Sequence, residues 1–488
     1  MQDRIVVINT GDGACGSLAR KLRGEHVYCR VLTMTDALKD LQTPGAKGIL
    51  IPGGSRGEAG TGLDWSALLS LDLPLLAMGD AALGLCLHAG GTLGEKKDTP
   101  TVAQVQYPLA DPLFDQVEPG ERYLTNLRTM LLPEGAHPAA QAQEGVLGFR
   151  LGEKPVYGLA FHVEQNDPDG MGLLMNFCQQ VCGCDPWWEP KLVIEQAHRE
   201  MEALIGDGEA VCALSGGVDS GVCAVMGNMA LGHRLHCLFV DTGLMREGES
   251  DRVTQYFQET MGLNFTRIDA SHRVMAALAG VTSAKEKEQR MTDCLCQVLA
   301  EEVQKIGHVK LILQGTNYSD SLLGGTIMAD GQTPDGIPIL APLRELFKSE
   351  VRDIAEELGF ASWMIHRQPF PGTGLALRIF GEVTEEKLTI LRQADDVFRE
   401  ELKQSGQSRR LWKYFAVLAE DPAGQQEQPY VVILRAVQAV EGASAMASRV
   451  SYDVLERVCQ SIRQSSPKVR RVLYDLTPSR DSSEIEWH

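Results

Sequence analysis

Short apolar runs alternate with amphipathic segments along most of this chain. In the first third, residues 4–9 and 48–52 are short, mainly apolar runs that end within two residues of a glycine or proline, and an amphipathic segment beginning at Leu18 separates them. Alternating strands and helices predict a parallel sheet, because each parallel strand is reached through a crossover connection. The first third is therefore expected to form an α/β domain.

The middle third repeats this alternation with longer apolar runs. Predicted strands cover residues 210–214, 235–241, 264–269 and 309–314, with helical segments between them. This order predicts a doubly wound parallel sheet, whose ligands bind beyond the carboxyl ends of the strands. The polar residues at those ends are Ser215, Asp219, Asp241 and Gln314.

The last third has a different pattern. Helical periodicity covers residues 383–402 and 452–465, and short strand-like runs cover 415–418, 430–437 and 469–476, which predicts a small α+β module. A stretch rich in Cys, Gly, Pro and Trp at 182–190 marks a linker. We predict two doubly wound parallel-sheet domains at 1–185 and 186–370, followed by the α+β domain at 371–488.

Composition narrows the class of protein. The 488 residues are 44% hydrophobic, contain twelve cysteines and carry a formal net charge of −19. This charge argues against non-specific binding to nucleic acid, and the scattered cysteines are typical of reduced thiols. No leader-like segment and no apolar run of about 18 residues is present, so we expect a cytoplasmic protein without a membrane segment.

The strongest chemical signal is the sequence Ser-Gly-Gly-Val-Asp-Ser at residues 215–220. It lies between a predicted buried strand and a predicted helix, so it places free backbone N–H groups and two hydroxyls at a helix N-terminus, where anions bind. No lysine follows the second glycine, which excludes the Walker-type phosphate loop. Asp219 and Asp241 are suitable ligands for Mg²⁺, although both are equally compatible with helix capping or turns.

Residues 215–220 resemble the pyrophosphate-binding loop of the N-type ATP pyrophosphatases, which adenylate an oxygen and then displace it. The resemblance implies that Ser215, Gly216, Gly217, Val218, Asp219 and Ser220 hold the pyrophosphate of ATP together with Mg²⁺. It also implies that Val240 contacts adenine through its backbone, that Gln314 and Gly315 line the nucleotide site, and that Lys348 and Arg367 stabilise the charge that develops.

Three N-terminal stretches, at residues 51–55, 74–80 and 157–164, resemble the class I glutamine amidotransferase domain. In that family a cysteine at a strand-to-helix elbow attacks the amide, and a His-x-Glu pair activates it. His162 and Glu164 occupy the positions of that pair, but the nucleophile's position falls on Gly79. Since glycine has no nucleophile, we expect a degenerate site that does not hydrolyse glutamine.

Taken together, these stretches and the Ile-Glu-Trp near the C-terminus resemble the GMP synthase family over nearly the whole chain. The resemblance implies that ATP adenylates xanthosine monophosphate (XMP), that ammonia completes the amination, and that the C-terminal domain forms a homodimer. Arg435 and Arg471 are candidate phosphate ligands, although single arginines are more often solvated surface charges.

The sequence differs from the family pattern in segments that the resemblance places near the acceptor. The lid between Asp320 and Pro342 is shortened and lacks Lys and His, and the family's Lys-Arg-Lys segment becomes Lys287-Glu288-Gln289. Three hypotheses follow. The chain is a GMP synthase-like enzyme that uses free or partner-supplied ammonia, an adenylating enzyme for another purine-like acceptor, or a non-catalytic nucleotide-binding paralogue.

Overall fold

The computed structural model describes residues 3–11, 14–53, 62–95, 101–124, 128–163, 170–318, 332–333, 335–368, 370–425, 427–440 and 444–477. The chain divides into two compact units, Met1–Glu189 and Pro190–His488. The predicted division into three domains, with a boundary at 370, stays a prediction.

The first unit is built on a seven-stranded sheet. Its strands lie in the spatial order Cys29–Leu32, Arg4–Ile8, Ala46–Ile51, Leu75–Met78, Val156–Leu159, Gly145–Leu151, Ala136–Ala142. The first five are parallel and the last two pair antiparallel. Arg4–Ile8 and Leu75–Met78 are buried along their whole length, as strands covered on both faces must be.

Helices and two small ribbons complete the described part of this unit. The helices are Ala14–Gly24, Met34–Leu41, Trp65–Ser70, Gly79–His88 and Gly170–Met175. The ribbons pair Thr101–Val105 with Gly120–Leu124 and Thr92–Leu93 with Met130–Leu131.

The second unit begins with a five-stranded parallel sheet. The strands lie in the order Phe265–Asp269, Leu235–Asp241, Glu209–Leu214, Val309–Leu313, Ile339–Leu340. The helices that precede, connect or follow them are Leu192–Ile205, Val218–Leu231, Glu249–Gln255, Ser271–Leu278, Ala284–Ile306, Lys348–Glu357 and Ser362–Ile365. The strand order reverses beside Glu209–Leu214, which is the position where doubly wound sheets bind ligands.

The C-terminal part of this unit is an α+β layer. Strands Lys413–Gln425, Gln428–Val440 and Ser444–Ala447 form an antiparallel sheet, and Val469–Tyr474 adds to it in parallel. Helices Glu385–Gln404 and Tyr452–Ser465 accompany it. One apolar core runs from Leu244 through Phe398 to Val469, so this layer and the neighbouring part of the parallel-sheet layer share buried side chains.

The predicted fold class is confirmed, because both parallel α/β sheets and the α+β layer are present. Several predicted elements differ in extent, and the largest difference is in one hairpin strand. The hairpin strand expected at 415–418 spans Lys413–Gln425, since its polar end pairs with Gln428 across the turn and carries no hydrophobic signal. Among the described residues, no helix has the length and apolarity needed to cross a membrane.

Candidate functional site

The loop between Glu209–Leu214 and the helix Val218–Leu231 forms a compact cradle at the carboxyl end of the sheet. The Oγ atoms of Ser215 and Ser220 lie 3.0 Å apart, and the backbone N–H of Ser215 donates to Ser220 Oγ at 3.1 Å. Gly217 caps the helix, and its N–H donates to Ser215 Oγ at 3.3 Å. The two serines therefore fix the turn that directs the first helical N–H groups outward, the arrangement that binds phosphate oxygens.

Two glycines allow this cradle to close. Gly216 has a φ of +76°, a region that favours glycine, and a methyl group there would lie 2.9 Å from Cγ2 of Val253. A methyl group on Gly315 would lie 2.5 Å from Cα of Ser220. The end of the strand Val309–Leu313 thus packs directly against the start of the cradle helix, and it brings Gln314 to the same edge of the sheet.

Lys348 and Asp219 form an ion pair beside the cradle. Lys348 is the first residue of the helix Lys348–Glu357, and Asp219 lies in the first turn of the cradle helix. Within the described residues, the buried Oδ1 of Asp219 has no hydrogen-bond partner. An unsatisfied carboxylate oxygen at a phosphate cradle fits a Mg²⁺ ligand, because that ion is held by one or two carboxylates and substrate phosphates.

Asp241 is engaged differently from Asp219. Its Oδ2 accepts from Nη2 and Nε of Arg267 at 2.6 and 3.1 Å, and its Oδ1 accepts from the N–H of Gly243 at 3.0 Å. To coordinate Mg²⁺, Asp241 would have to exchange Arg267 for the ion. Among the residues that the structure describes, no group of three or more His, Cys, Asp or Glu side chains is arranged to hold a metal.

Val240 lies one residue past the end of the cradle strand. The register pairs Leu214 with Phe239, so the next residue of Leu235–Asp241 has no partner on the cradle side. Val240 is half-buried and pairs with Ile268 on its other side. This position suits the predicted backbone contact with adenine, which stays a prediction.

Arg367 connects the cradle to Glu249. Its Nη1 donates to the carbonyl oxygen of Gly216, while Nε and Nη2 lie 2.9 and 2.6 Å from Oε1 of Glu249. Burial alone would raise the pKa of Glu249, but the charges of Arg367 and Arg246 outweigh it and lower that pKa. Glu249 therefore stays ionised and holds Arg367 against the cradle.

Sequence reasoning did not identify Glu249 or Arg392. Arg392, on the helix Glu385–Gln404, donates from Nη2 to the carbonyl of Gly243 at 2.6 Å and from Nε to that of Met245 at 3.0 Å. Arg392 holds the loop 243–245 from a distant part of the chain, and Glu249 holds Arg367, which is equally distant in sequence. A motif search reads neighbouring positions and has no signal for such contacts, although an acidic residue opening a predicted helix is a weak hint.

The amidotransferase-like unit retains the shape of an elbow at Gly79. The strand Leu75–Met78 ends there, Gly79 has a φ of +53°, and the helix Gly79–His88 follows. His162 is 2% exposed, and its backbone N–H donates to the carbonyl of Tyr123 at 3.2 Å. The partner position Glu164 lies outside the described residues. The structure brings His162 and Gly79 together, and the assignment of Gly79 to the position of the nucleophile stays a prediction.

Cys86 lies away from the elbow at Gly79. It is buried on the same helix, seven residues beyond Gly79, and its Sγ lies 3.9 Å from the carbonyl of Leu131. Burial raises the pKa of the Cys86 thiol, so it holds its proton more tightly than an exposed thiol does.

The cations predicted near the acceptor already contact groups of the protein, and of these Lys287 and Arg435 are buried whereas Arg471 is exposed. The Nζ of Lys287 donates to the carbonyls of Ala376 and Ile379 at 3.2 and 2.6 Å. Arg435 is 2% exposed and pairs with Asp475, and Arg471 Nε lies 3.6 Å from Asp421. Most of the lid that was predicted to be shortened, residues 319–331 and 334, and the C-terminal Ile-Glu-Trp lie outside the described residues.

Comparison with known proteins covers the whole chain. Residues 194–409 match the family model of NAD synthase, and residues 400–487 match that of the GMP synthase C terminal domain. The chain is 36% identical to the glutamine-hydrolyzing GMP synthase of Caldicellulosiruptor saccharolyticus and 33% identical to that of Clostridium perfringens, with 100% of both chains covered in each case. It is 34% identical to that of Acetivibrio thermocellus over 99% of each chain.

The similarity to a solved structure is weaker than the similarity to these sequences. The crystal structure of a GMP synthase subunit from Thermoplasma acidophilum covers 42% of this chain and 98% of its own, at 20% identity and a TM-score of 0.32. The full-length sequence matches are decisive. The chain therefore belongs to the GMP synthase family of ATP-dependent amidating ligases.

Proposed function

We propose that this protein adenylates an acceptor oxygen, XMP by family resemblance, and completes amination with free or partner-supplied ammonia, without glutaminase activity. The observation that carries the proposal is the contrast between its two sites. The cradle at 215–220 keeps its hydroxyls, glycines and paired cation, whereas the elbow at Gly79 has no nucleophile.

The cradle residues suit the first half-reaction. The acceptor oxygen attacks the α-phosphorus of ATP, and the bond to the bridging oxygen breaks, so pyrophosphate leaves. The N–H groups at the start of the helix Val218–Leu231 would hold the departing phosphates, and Lys348 would neutralise part of their charge. Mg²⁺, held through Asp219 and by prediction Asp241, would supply further charge neutralisation.

The second half-reaction requires few catalytic groups from the protein. Ammonia attacks the adenylated carbon, AMP leaves, and one proton is lost to solvent. Positioning of the two reactants accounts for most of the acceleration that such a step requires. We expect a cytoplasmic homodimer, because the family's C-terminal domain pairs two subunits.

The contacts of the cations predicted near the acceptor favour an acceptor other than XMP. Lys287 and Arg435 satisfy internal carbonyl and carboxylate groups, and Glu288 replaces a basic residue of the family segment. Each charge-assisted hydrogen bond that a phosphate lacks weakens its binding by about 1.5–3 kcal/mol. A purine-like acceptor that is not XMP is therefore the alternative within the same chemistry.

The test is pyrophosphate release from ATP and Mg²⁺, measured with ammonium or with glutamine, and with or without XMP. GMP formed with ammonium but not with glutamine supports the proposal. GMP formed with glutamine would overturn the loss of glutaminase. ATP binding without XMP-dependent release would favour another acceptor, and failure to bind ATP would favour the non-catalytic paralogue.

A further inference from the structure

A second concave site lies in the unit Pro190–His488, beyond the cradle. It is a cavity of about 380 Å³ between the helices Glu249–Gln255, Lys348–Glu357 and Glu385–Gln404 and the segment 408–414. This volume lies within the range of small-molecule sites. The cradle residues 215–220 and Lys348 do not line it.

The cavity is strongly basic although the protein is acidic overall. Its cationic side chains are Arg252, Arg352, Arg367, Arg399 and Lys403. Glu249 is the carboxylate among the lining residues, and it is already paired with Arg367. In a chain of net charge −19, such a concentration of cations creates a local positive potential that attracts an anion.

Two of these arginines have unused hydrogen-bonding capacity. Within the described residues, the buried Nε atoms of Arg352 and Arg399 have no hydrogen-bond partner. Buried N–H donors are normally satisfied, because leaving one unpaired costs about 1–3 kcal/mol. The pairing that these donors lack is what an oxyanion in the cavity would supply.

Aromatic rings line the same cavity. Trp363 and Trp412 are 48% and 42% exposed, and Tyr414 lies near the start of the strand Lys413–Gln425. Trp363 is held in place by an edge contact with Tyr256 at 5.2 Å. Tryptophan rings stack on nucleobases with about 1–3 kcal/mol each.

We propose that this cavity binds a nucleoside phosphate as an effector, separate from the ATP in the cradle. The arginines and Lys403 would hold the phosphate, and the tryptophans would hold the base. A volume of about 380 Å³ suits a small molecule and is too small for a folded partner. A sugar phosphate would leave the aromatic faces unused.

Arg367 gives this site a connection to the cradle. Its guanidinium lines the cavity and also donates to the carbonyl of Gly216. A phosphate in the cavity competes with that carbonyl and with Glu249 for the same N–H groups. Occupancy of the cavity therefore changes the affinity of the cradle for ATP, and by linkage ATP changes the affinity of the cavity by the same factor.

Binding to the full chain tests the proposal. The cradle is first saturated with α,β-methylene-ATP and Mg²⁺, and titration calorimetry then follows the binding of GMP, UMP, ribose 5-phosphate and inorganic phosphate. The variant R352Q/K403Q should weaken binding of the nucleotide probe at least tenfold. The matched control Arg409→Gln removes an exposed cation of the neighbouring segment that does not line the cavity, and it should change that binding less than twofold.

A second variant tests the aromatic part. Trp363→Leu should weaken nucleotide binding about tenfold and leave ribose 5-phosphate unchanged. Unchanged thermal unfolding of each variant establishes that it is folded. The proposal is overturned if no nucleotide binds below roughly 1 mM, or if R352Q/K403Q binds as the wild type does. Equal affinity for nucleotide and inorganic phosphate overturns the nucleoside assignment.

Discussion

A methyl group on Gly79 would lie 2.7 Å from Cε1 and 3.1 Å from Nε2 of His162. Carbon atoms in contact are normally about 3.5–4.0 Å apart, so the imidazole occupies space that a larger residue at position 79 needs. The same methyl group would lie 3.2 Å from Cα of Gly53. The elbow is therefore packed for glycine, and position 79 has no space for a side chain while His162 keeps its place.

Restoring the nucleophile should not restore hydrolysis. We expect Gly79→Cys to show no measurable glutaminase activity, because its Cβ must displace the His162 ring that would serve as base. A side chain at a φ of +53° also destabilises the fold by about 1–3 kcal/mol. Ammonia release from glutamine and thermal unfolding are the measurements. Gly79→Ala is the matched control and should lose the same stability, and robust hydrolysis by the cysteine variant would contradict the prediction.

The close approach of Gly315 to the cradle helix predicts a second effect. In Gly315→Ala the new Cβ would lie 2.6 Å from the backbone N of Ser220, so the start of the helix must move. We expect the affinity for ATP to fall at least tenfold, about 1.4 kcal/mol, in equilibrium binding. Gly24→Ala, where a methyl group meets no atom within 4 Å, should bind ATP normally. Equal affinity of both variants would show that the cradle does not hold the nucleotide.

Removal of the cation beside Asp219 should slow the chemistry. We expect Lys348→Met to reduce pyrophosphate release roughly 100-fold, since a single charge-stabilising donor contributes on that scale. The control Lys305→Met removes an exposed lysine whose Nζ lies 2.5 Å from Glu302, and it should remain within twofold of the wild type. The measurement is the steady-state rate of pyrophosphate release by each variant with saturating ammonium. An unaffected Lys348→Met enzyme would assign that lysine a structural role.

Lys287 predicts a dependence of stability on pH. It is 2% exposed, and burial, assisted by Lys387, lowers its pKa to about 8. Because the unfolded chain keeps the ordinary lysine pKa, it binds more protons than the folded chain between that pH and about 10.4. The contribution of Lys287 to stability is therefore smallest below pH 8 and increases as the pH rises through this interval.

Comparison with Lys287→Met isolates this contribution. The stability of the wild type relative to the variant should rise by about 2 kcal/mol between roughly pH 7 and 9.5, measured as the shift in thermal midpoints. Lys310→Met, which removes an exposed lysine, should give a difference that is constant with pH. A constant difference for Lys287→Met as well would mean that its buried amine keeps an ordinary pKa.

The sequence predicted the elements around the cradle because their signals are local. A buried strand, two glycines and a helix are adjacent in the chain, and each has a distinct pattern of apolar and small residues. The contact of Arg367 with Glu249 joins positions 118 residues apart, and its geometry follows from packing rather than from any neighbouring residue. The overlap of position 79 with His162 depends on distances of a few tenths of an ångström, which no pattern of residue types encodes.

The apolar core that runs from Leu244 through Phe398 to Val469 also limits how the gene could be divided. A break near residue 370 would separate helix Glu385–Gln404 from the side chains of Leu244 and Val274 that share its core, and each fragment would expose an apolar face. A break near residue 189 would divide the chain between its two compact units. Gene fission or fusion during evolution would therefore preserve residues 190–488 as one inherited piece, while the amidotransferase-like unit could be lost, exchanged or encoded separately.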